Sequence, residues 1–243
     1  MTGPAGADAI AHVFVELLAD ECDIEGPDGH HLRRVRRVER GELVTAADGS
    51  GAWRLYEVVE LRDGGLRLVA RGDVAFDPAP AVGIALAPAL TKGGLEDVVA
   101  SVTELGVTRI TPVLTERTVV RWDAQKSARA IIRLTAVARA AAMQSRRSRL
   151  PVVDPVGTLA AVASRRAVLV ADRAGVQAFD LEPPPGGDWS VVIGPEGGFG
   201  PRDWEALADC PRLALGEHVV RAATAPVAAA AVLTARIAQT NPD

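Results

Sequence analysis

Cysteine is nearly absent: the 243 residues contain Cys22 and Cys210 alone, with no Cys-x-x-Cys pair. This excludes a disulfide framework and a cysteine-based zinc site. The four histidines, His12, His30, His31 and His218, lack metal-ligand spacing, so no metal is expected. No apolar run reaches the roughly eighteen residues of a membrane span, and Met1 to Asp8 lacks the basic region of a secretory signal. A cytoplasmic protein without membrane association is the expectation. Lysine is scarce as well, only Lys92 and Lys126, so arginine carries the positive charge.

What is present is the composition of a globular chain, 48% hydrophobic and 24% charged, able to bury one core or a large and a small one. The net charge of −4 argues against a nucleic-acid partner, because basic side chains on phosphate supply much of that affinity. Its distribution argues the other way. Residues 1–77 hold nine basic against fifteen acidic residues, yet Arg33, Arg34, Arg36, Arg37 and Arg40 fall within eight positions. Residues 78–243 hold eighteen basic against sixteen acidic, with Arg146, Arg147 and Arg149 following a helical pattern that carries Arg129, Arg133 and Arg139. Such clusters suit a nucleic-acid surface or a solvated helix face, and charge alone leaves both open.

Leu32, Val35 and Val38 recur every third residue after Pro27-Asp28, predicting a short helix that ends at Gly41. Strands are predicted at 43–46, 51–61 and 66–69, separated by Asp48-Gly49-Ser50-Gly51 and Asp63-Gly64-Gly65, which gives a small antiparallel barrel or sheet. Asp77-Pro78-Ala79-Pro80 reads as a linker. Beyond it, strands at 82–89, 107–114, 167–171, 190–193 and 212–215 alternate with helices at 94–105, 124–144, 158–164, from Pro201, and 224–239. That alternation predicts a mainly parallel sheet with helices on both faces, an α/β fold. Ligands of such sheets sit beyond the carboxyl ends of the strands, which singles out the loops after Ala171, Ile193 and Leu215.

The loop after Ile193 reads Gly194-Pro195-Glu196-Gly197-Gly198-Phe199-Gly200-Pro201. Glycines let a ligand reach backbone N–H and C=O groups that a Cβ would shield. Taken alone, the loop serves equally as a ligand site or a tight turn. Its spacing does not match the G-x-G-x-x-G of dinucleotide enzymes. The loop after strand 212–215 reads Leu215-Gly216-Glu217-His218-Val219-Val220-Arg221 and leads into the last helix.

Strand, GPEGG, helix, strand, LGxxVxR, helix: in that order, residues 190–240 resemble the C-terminal signature of the SPOUT methyltransferases. The resemblance is specifically to the bacterial 16S rRNA (uracil(1498)-N(3))-methyltransferase family, and it extends over nearly the whole chain. His31 to Arg37, Thr103-Glu104-Leu105-Gly106-Val107, Ile110-Thr111-Pro112, Glu116-Arg117 and Gln144-Ser145 before Pro151 carry it further. It implies a PUA-like, RNA-binding β-barrel over residues 1–77 and a SPOUT α/β domain over 78–243 whose C-terminus threads a trefoil knot. It implies a homodimer formed through the knot domain, S-adenosyl-L-methionine as methyl donor, and 16S rRNA or the small ribosomal subunit as partner.

On this resemblance the donor would be held by Ala171 and Asp172, by Ile193, Gly194, Pro195, Glu196, Gly197 and Gly198, and by Leu215, Gly216, Val219, Val220, Arg221 and Thr224. RNA would be bound by Arg33, Arg34, Arg36, Arg37, Arg146, Arg147 and Arg149, together with Lys92, Arg117 and Gln144. Uracil N3 carries a proton, so its methylation requires that proton to leave while charge spreading onto O2 and O4 meets a cation. Arg221, matching the family's arginine, is the candidate for that role, and Glu196 the candidate for orienting donor or substrate. Where relatives have Arg-x-Glu-Thr this chain has Arg221-Ala222-Ala223-Thr224, so no carboxylate follows the arginine. Met143 stands before Gln144 in place of a glutamate, and His12 aligns with an N-terminal arginine. The rival readings are a ribose 2′-O methyltransferase of the same superfamily, an RNA-binding protein without catalysis, and, more remotely, a nicotinamide dehydrogenase.

Overall fold

The computed structural model describes residues 8–120, 122–185 and 187–240. The chain divides into two compact units, one holding the residues up to Ala79 with Arg139–Leu150, the other Pro80–Ala138 with the residues from Pro151 on.

In the first unit, β1 (Ala11–Phe14), β2 (Glu21–Ile24), α1 (Gly26–His30), β3 (Leu43–Ala47), β4 (Ala52–Arg62), β5 (Gly65–Ala70) and β6 (Ala75–Phe76) follow one another. The strands form one sheet in the order β1-β3-β4-β5-β2, with β6 on β4. Only the β1–β3 pairing is parallel. Val13, Ile24, Leu32, Val44, Tyr56, Val58 and Leu68 make its core, and Tyr56 Oη donates to the Ala19 carbonyl at 2.8 Å. The helix expected after Pro27-Asp28 has Pro27 in its first turn and runs into a π-helical turn at His31–Val35, ending short of the expected Gly41. The wider turn shifts the phase, so Leu32 and Val38 are buried while Val35 is exposed. Residues 139–150 belong here for local reasons: Met143 packs on the core, and Arg139 donates to Asp28 and to the Phe14 carbonyl. A single boundary at the 77–80 linker therefore leaves this segment on the other side.

The second unit contains β7 (Ile84–Pro88), α2 (Leu95–Glu104), β8 (Arg109–Ile110), β9 (Val113–Leu114), α3 (Ala124–Gln144, as far as Ala138), β10 (Val152–Val153), β11 (Gly157–Thr158), α4 (Leu159–Ala163), β12 (Val168–Gln177), β13 (Trp189–Ile193), α5 (Pro201–Ala206), β14 (Arg212–Ala214) and α6 (Ala225–Thr240). Its sheet is parallel in the order β10-β8-β7-β13-β12-β14, and β9 pairs separately with β11. The run Val191-Val192-Ile193 is apolar without alternation because both faces are covered. Val191 and Ile193 pack with residues of α2, α3 and α6, and Val192 with those of α4 and Phe199. The single strand expected at 107–114 is two short ones, broken where Pro112 has no N–H for the ladder. The strand expected to stop at Ala171 continues to Gln177. After β14, at the edge of the sheet, α6 comes back to pack on β7, β13 and α2. The chain end thus recrosses the sheet, the path a SPOUT-type C-terminus takes.

Candidate functional site

Three segments, the middle of β12 and the loops beyond the carboxyl ends of β13 and β14, meet around a cavity of about 460 Å³. Each arrives by a different local device. Within β12, Ala171 and Val176 both pair with Leu213, so residues 172–175 bow out of the ladder and return to it. Asp172 closes this excursion by accepting from the Ala174 N–H at 2.8 Å. Gly175 is required at its base, since a Cβ there would lie 2.5 Å from the Arg212 carbonyl. After β13, Gly194 to Gly198 turns tightly, with the Gly198 N–H donating to the Pro195 carbonyl at 2.8 Å and Gly198 in the left-handed region at φ 68°. After β14, Gly216 at φ 150° redirects the chain, and the Arg221 carbonyl accepts from Thr224 and Ala225 as α6 begins.

The cavity is lined by Ala171, Asp172, Ile193, Gly194, Pro195, Glu196, Gly198, Leu215, Gly216, Val219, Val220 and Arg221, all expected from the sequence. Gly197 and Thr224 are not on its wall. Gly197 turns outward toward the Arg117 side chain, 3.7 Å from the position of a Cβ, and Thr224 lies in the turn that starts α6. Arg173, Phe199, His218 and Ala222 also line the cavity and lie within the segments the sequence marked, while Trp204 and Ala225, on helices, were not singled out. Phe199 and Trp204 stack edge to face with centroids 5.3 Å apart, and Arg212 lies over Trp204. Trp204 lies on α5 and reads as helix core, so nothing in the sequence set it apart. Among the described residues, Glu196, His218 and Arg221 have no side-chain hydrogen bond or ion pair, while Asp172 receives Arg212 at 3.4 Å. A salt bridge engaging Arg221 is thus absent among the described residues.

The residues expected on RNA divide by their surroundings. In the first unit Arg34 and Arg37 are exposed, and His30, Arg33 and Arg34 share a concavity with Arg62 and Gly64. Arg36 spends its guanidinium on the Ile10 carbonyl. Arg149 is bound twice to the Asp77 carbonyl and lies over the Phe76 ring. Burial pushes the Arg147 guanidinium down to about 10, and its carbonyl accepts from His12 Nε2. Arg147 and Arg149 are built into the unit while Arg36 stays on its surface, so part of the arginine cluster serves the unit itself. Arg146 is partly exposed and Gln144 exposed. In the second unit Lys92 is exposed, and Arg117 donates to the Gly197 carbonyl at 2.8 Å. Among the described residues no cluster of histidine, cysteine or carboxylate could hold a metal, and no helix is long and apolar enough to cross a membrane.

An apolar cavity edged with exposed backbone amides and a few charged groups suits a small organic ligand with polar ends. Comparison with known proteins narrows the class. The RNA methyltransferase domain family matches residues 78–234, and the RNA methyltransferase PUA domain matches residues 24–70. The ribosomal RNA small subunit methyltransferase E of Mycobacterium bovis is 33% identical, covering 92% of this chain and 92% of its own. A methyltransferase structure from Legionella pneumophila in complex with bound SAM superposes with TM-score 0.81 at 25% identity, over 94% of this chain and 98% of that one. A ribosomal RNA small subunit methyltransferase E from Neisseria gonorrhoeae, bound to S-adenosyl methionine, shares the fold with TM-score 0.81 at 24% identity, over 93% and 97%. With a family match over most of its length and a relative above 30% identity across it, the chain belongs to the RNA methyltransferase family.

Proposed function

We propose that this protein transfers a methyl group from S-adenosyl-L-methionine to N3 of one uridine, the 1498-equivalent, in the 16S rRNA of the small ribosomal subunit. The observation that carries the reading is the convergence of the 172–175 excursion, the Gly194–Gly198 turn and the Leu215–Arg221 loop on one cavity. Relatives that align over almost their full length are small-subunit rRNA methyltransferases by name, and the Legionella structure holds SAM.

The residues present fit that donor. The cavity falls within the range of ligand sites, about 300–1,000 Å³, and its wall of Ile193, Leu215, Val219 and Val220 would take the adenosine while the glycine backbone supplies hydrogen bonds. When bound, the donor supplies an activated methyl on a sulfonium. The chain's own residues position the acceptor and handle charge. Arg221, exposed to the cavity without a competing partner among the described residues, faces the charge that develops on uracil oxygens. Proton acceptance falls to a rim group or to water: Ala223 offers no carboxylate and Asp172 is held by Arg212, which leaves Glu196 and His218.

A cytoplasmic homodimer belongs to the same proposal. Nucleoside mass spectrometry of 16S rRNA from a deletion strain tests the function directly. Loss of 3-methyluridine, restored by the wild-type chain, is expected. Loss of a 2′-O-methylated nucleoside instead moves the assignment to ribose chemistry, and an unchanged nucleoside profile leaves an RNA-binding protein without this catalysis. Arg221→Ala should abolish transfer in vitro while donor affinity stays near wild type; retained turnover rejects its catalytic role.

A further inference from the structure

The Gly194–Gly198 turn is not self-supporting. Its outer side rests on the turn 115–118, which follows β9 and is itself locked: Thr115 N–H donates to Thr118 Oγ1 at 3.0 Å, the two hydroxyls meet at 2.9 Å, and both residues are buried. From this turn two neighbouring side chains reach across about eighty residues of sequence. Arg117 Nη1 donates to the Gly197 carbonyl at 2.8 Å. Glu116 Oε2 accepts from the Arg202 N–H at 3.0 Å, and the Glu116 N–H donates to both carboxylate oxygens of Asp203 at 3.1 Å. Asp203 Oδ2 also accepts from the Gly200 N–H at 2.9 Å. Gly200 carries no Cβ, and one there would collide with the Glu116 carboxylate. The C-terminal side of the glycine turn, at Gly197 and at Gly200 just beyond it, is thereby tied to the 115–118 turn.

We infer that Arg117 and Glu116 are positioning residues of the methyl-donor site: they hold the glycine turn in its ligand-ready shape before any ligand arrives. This rests on the reading that the cavity takes S-adenosyl-L-methionine. Arg117, also a candidate RNA contact, is exposed but already engaged within the protein. Its guanidinium points at a main-chain carbonyl on the outer side of the turn, and it is not part of the cavity wall. Nor does it form an ion pair among the described residues, so its bond to Gly197 is the interaction it contributes. A turn fixed in advance lowers the ordering cost that a ligand would otherwise meet.

The test is Arg117→Ala, with Arg117→Lys as the conservative partner able to donate to the same carbonyl. Calorimetry with S-adenosylhomocysteine should show affinity falling about ten-fold in Arg117→Ala, the scale of one charged hydrogen bond, with most of it recovered in Arg117→Lys. KM for the donor should rise by more than kcat falls. RNA affinity and its salt dependence should remain those of the wild type. A ligand-free readout stands beside these: amide hydrogen exchange at Gly198 and Gly200 should quicken in Arg117→Ala while amides of β7 are unaffected. Unchanged donor affinity together with unchanged exchange overturns the inference, as does preserved donor affinity with a salt slope reduced by about one, the mark of a phosphate contact. A wild-type chain that binds no donor sinks the proposed function, and the exchange measurement still decides whether the 115–118 turn holds the glycine turn.

Discussion

His12 shows how a single side chain is set by its surroundings. It is buried on β1, where Nε2 donates to the Arg147 carbonyl at 3.0 Å and Nδ1 meets the Thr45 hydroxyl at 2.8 Å. Burial, partly offset by the bond to the Arg147 carbonyl and reinforced by nearby Arg146, pushes its pKa down to about 4. The fold therefore favours the neutral ring. Its contribution is complete above the ordinary histidine value near 6.5 and is lost as the pH falls from there toward 4, a change of about 3 kcal/mol. Urea unfolding of the first unit at pH 7.5 and pH 4 should show that loss, and His12→Gln should flatten it while lowering stability at neutral pH. His12, at a position where the resemblance led to arginine being expected, is thus a structural histidine, legible as a departure but not as a buried residue. Gly200 is the reverse case: in the sequence it is one more glycine of the loop before Pro201, and its stricter requirement comes from Glu116, which no local pattern reveals. Gly200→Ala should cost donor binding at least as much as Arg117→Ala, read by the same calorimetry.

At the scale of elements, what the sequence made legible was whatever repeats over enough residues. The apolar stripe Leu95, Val98, Val99 and Val102 lies buried on α2 as its spacing predicts, and the bounds of α3 coincide with its pattern at 124–144. Two-residue strands such as β8, β9 and β10 are too short for any period, and β12 looked finished at Ala171 because Asp172, Arg173 and Gly175 read as loop. α4 is capped by Thr158, whose hydroxyl accepts from the Ala161 N–H at 3.3 Å. Thr158→Ala should cost about 1 kcal/mol. Leu233, fully buried on α6 against the sheet, is a heavier loss: Leu233→Ala should cost about 2–5 kcal/mol by chemical denaturation, since α6 is short of large side chains to close the cavity.

For the whole molecule, the net charge of −4 conceals two arginine populations. One is consumed internally, Arg147 and Arg149 being bound or buried within their unit. The other, with Arg34 and Arg37, remains exposed. Charge reversal should separate them: Arg34→Glu weakens RNA binding and flattens its salt dependence with little change in stability, whereas Arg149→Glu chiefly destabilises the first unit. Filter binding across a salt series with parallel thermal melts reads both, and equal effects from the two variants would falsify the division. The sequence pattern located the arginines and the two signature loops; it could not assign each arginine to a surface or to an interior, because their partners are carbonyls such as those of Ile10 and Asp77, which any residue could supply.

The excursion at 172–175 bears on how this cavity can change over generations. Both of its ends are pinned opposite Leu213, and Gly175 lies against the Arg212 backbone. Residues may be exchanged at its tip, where Arg173 is exposed, and length may in principle be added there. A deletion is different: a shorter excursion must either tighten against Gly175 or pull Val176 and Gln177, the last residues of β12, out of step with Leu213 and Ala214. Variation in ligand preference on this wall is therefore confined to replacement and insertion.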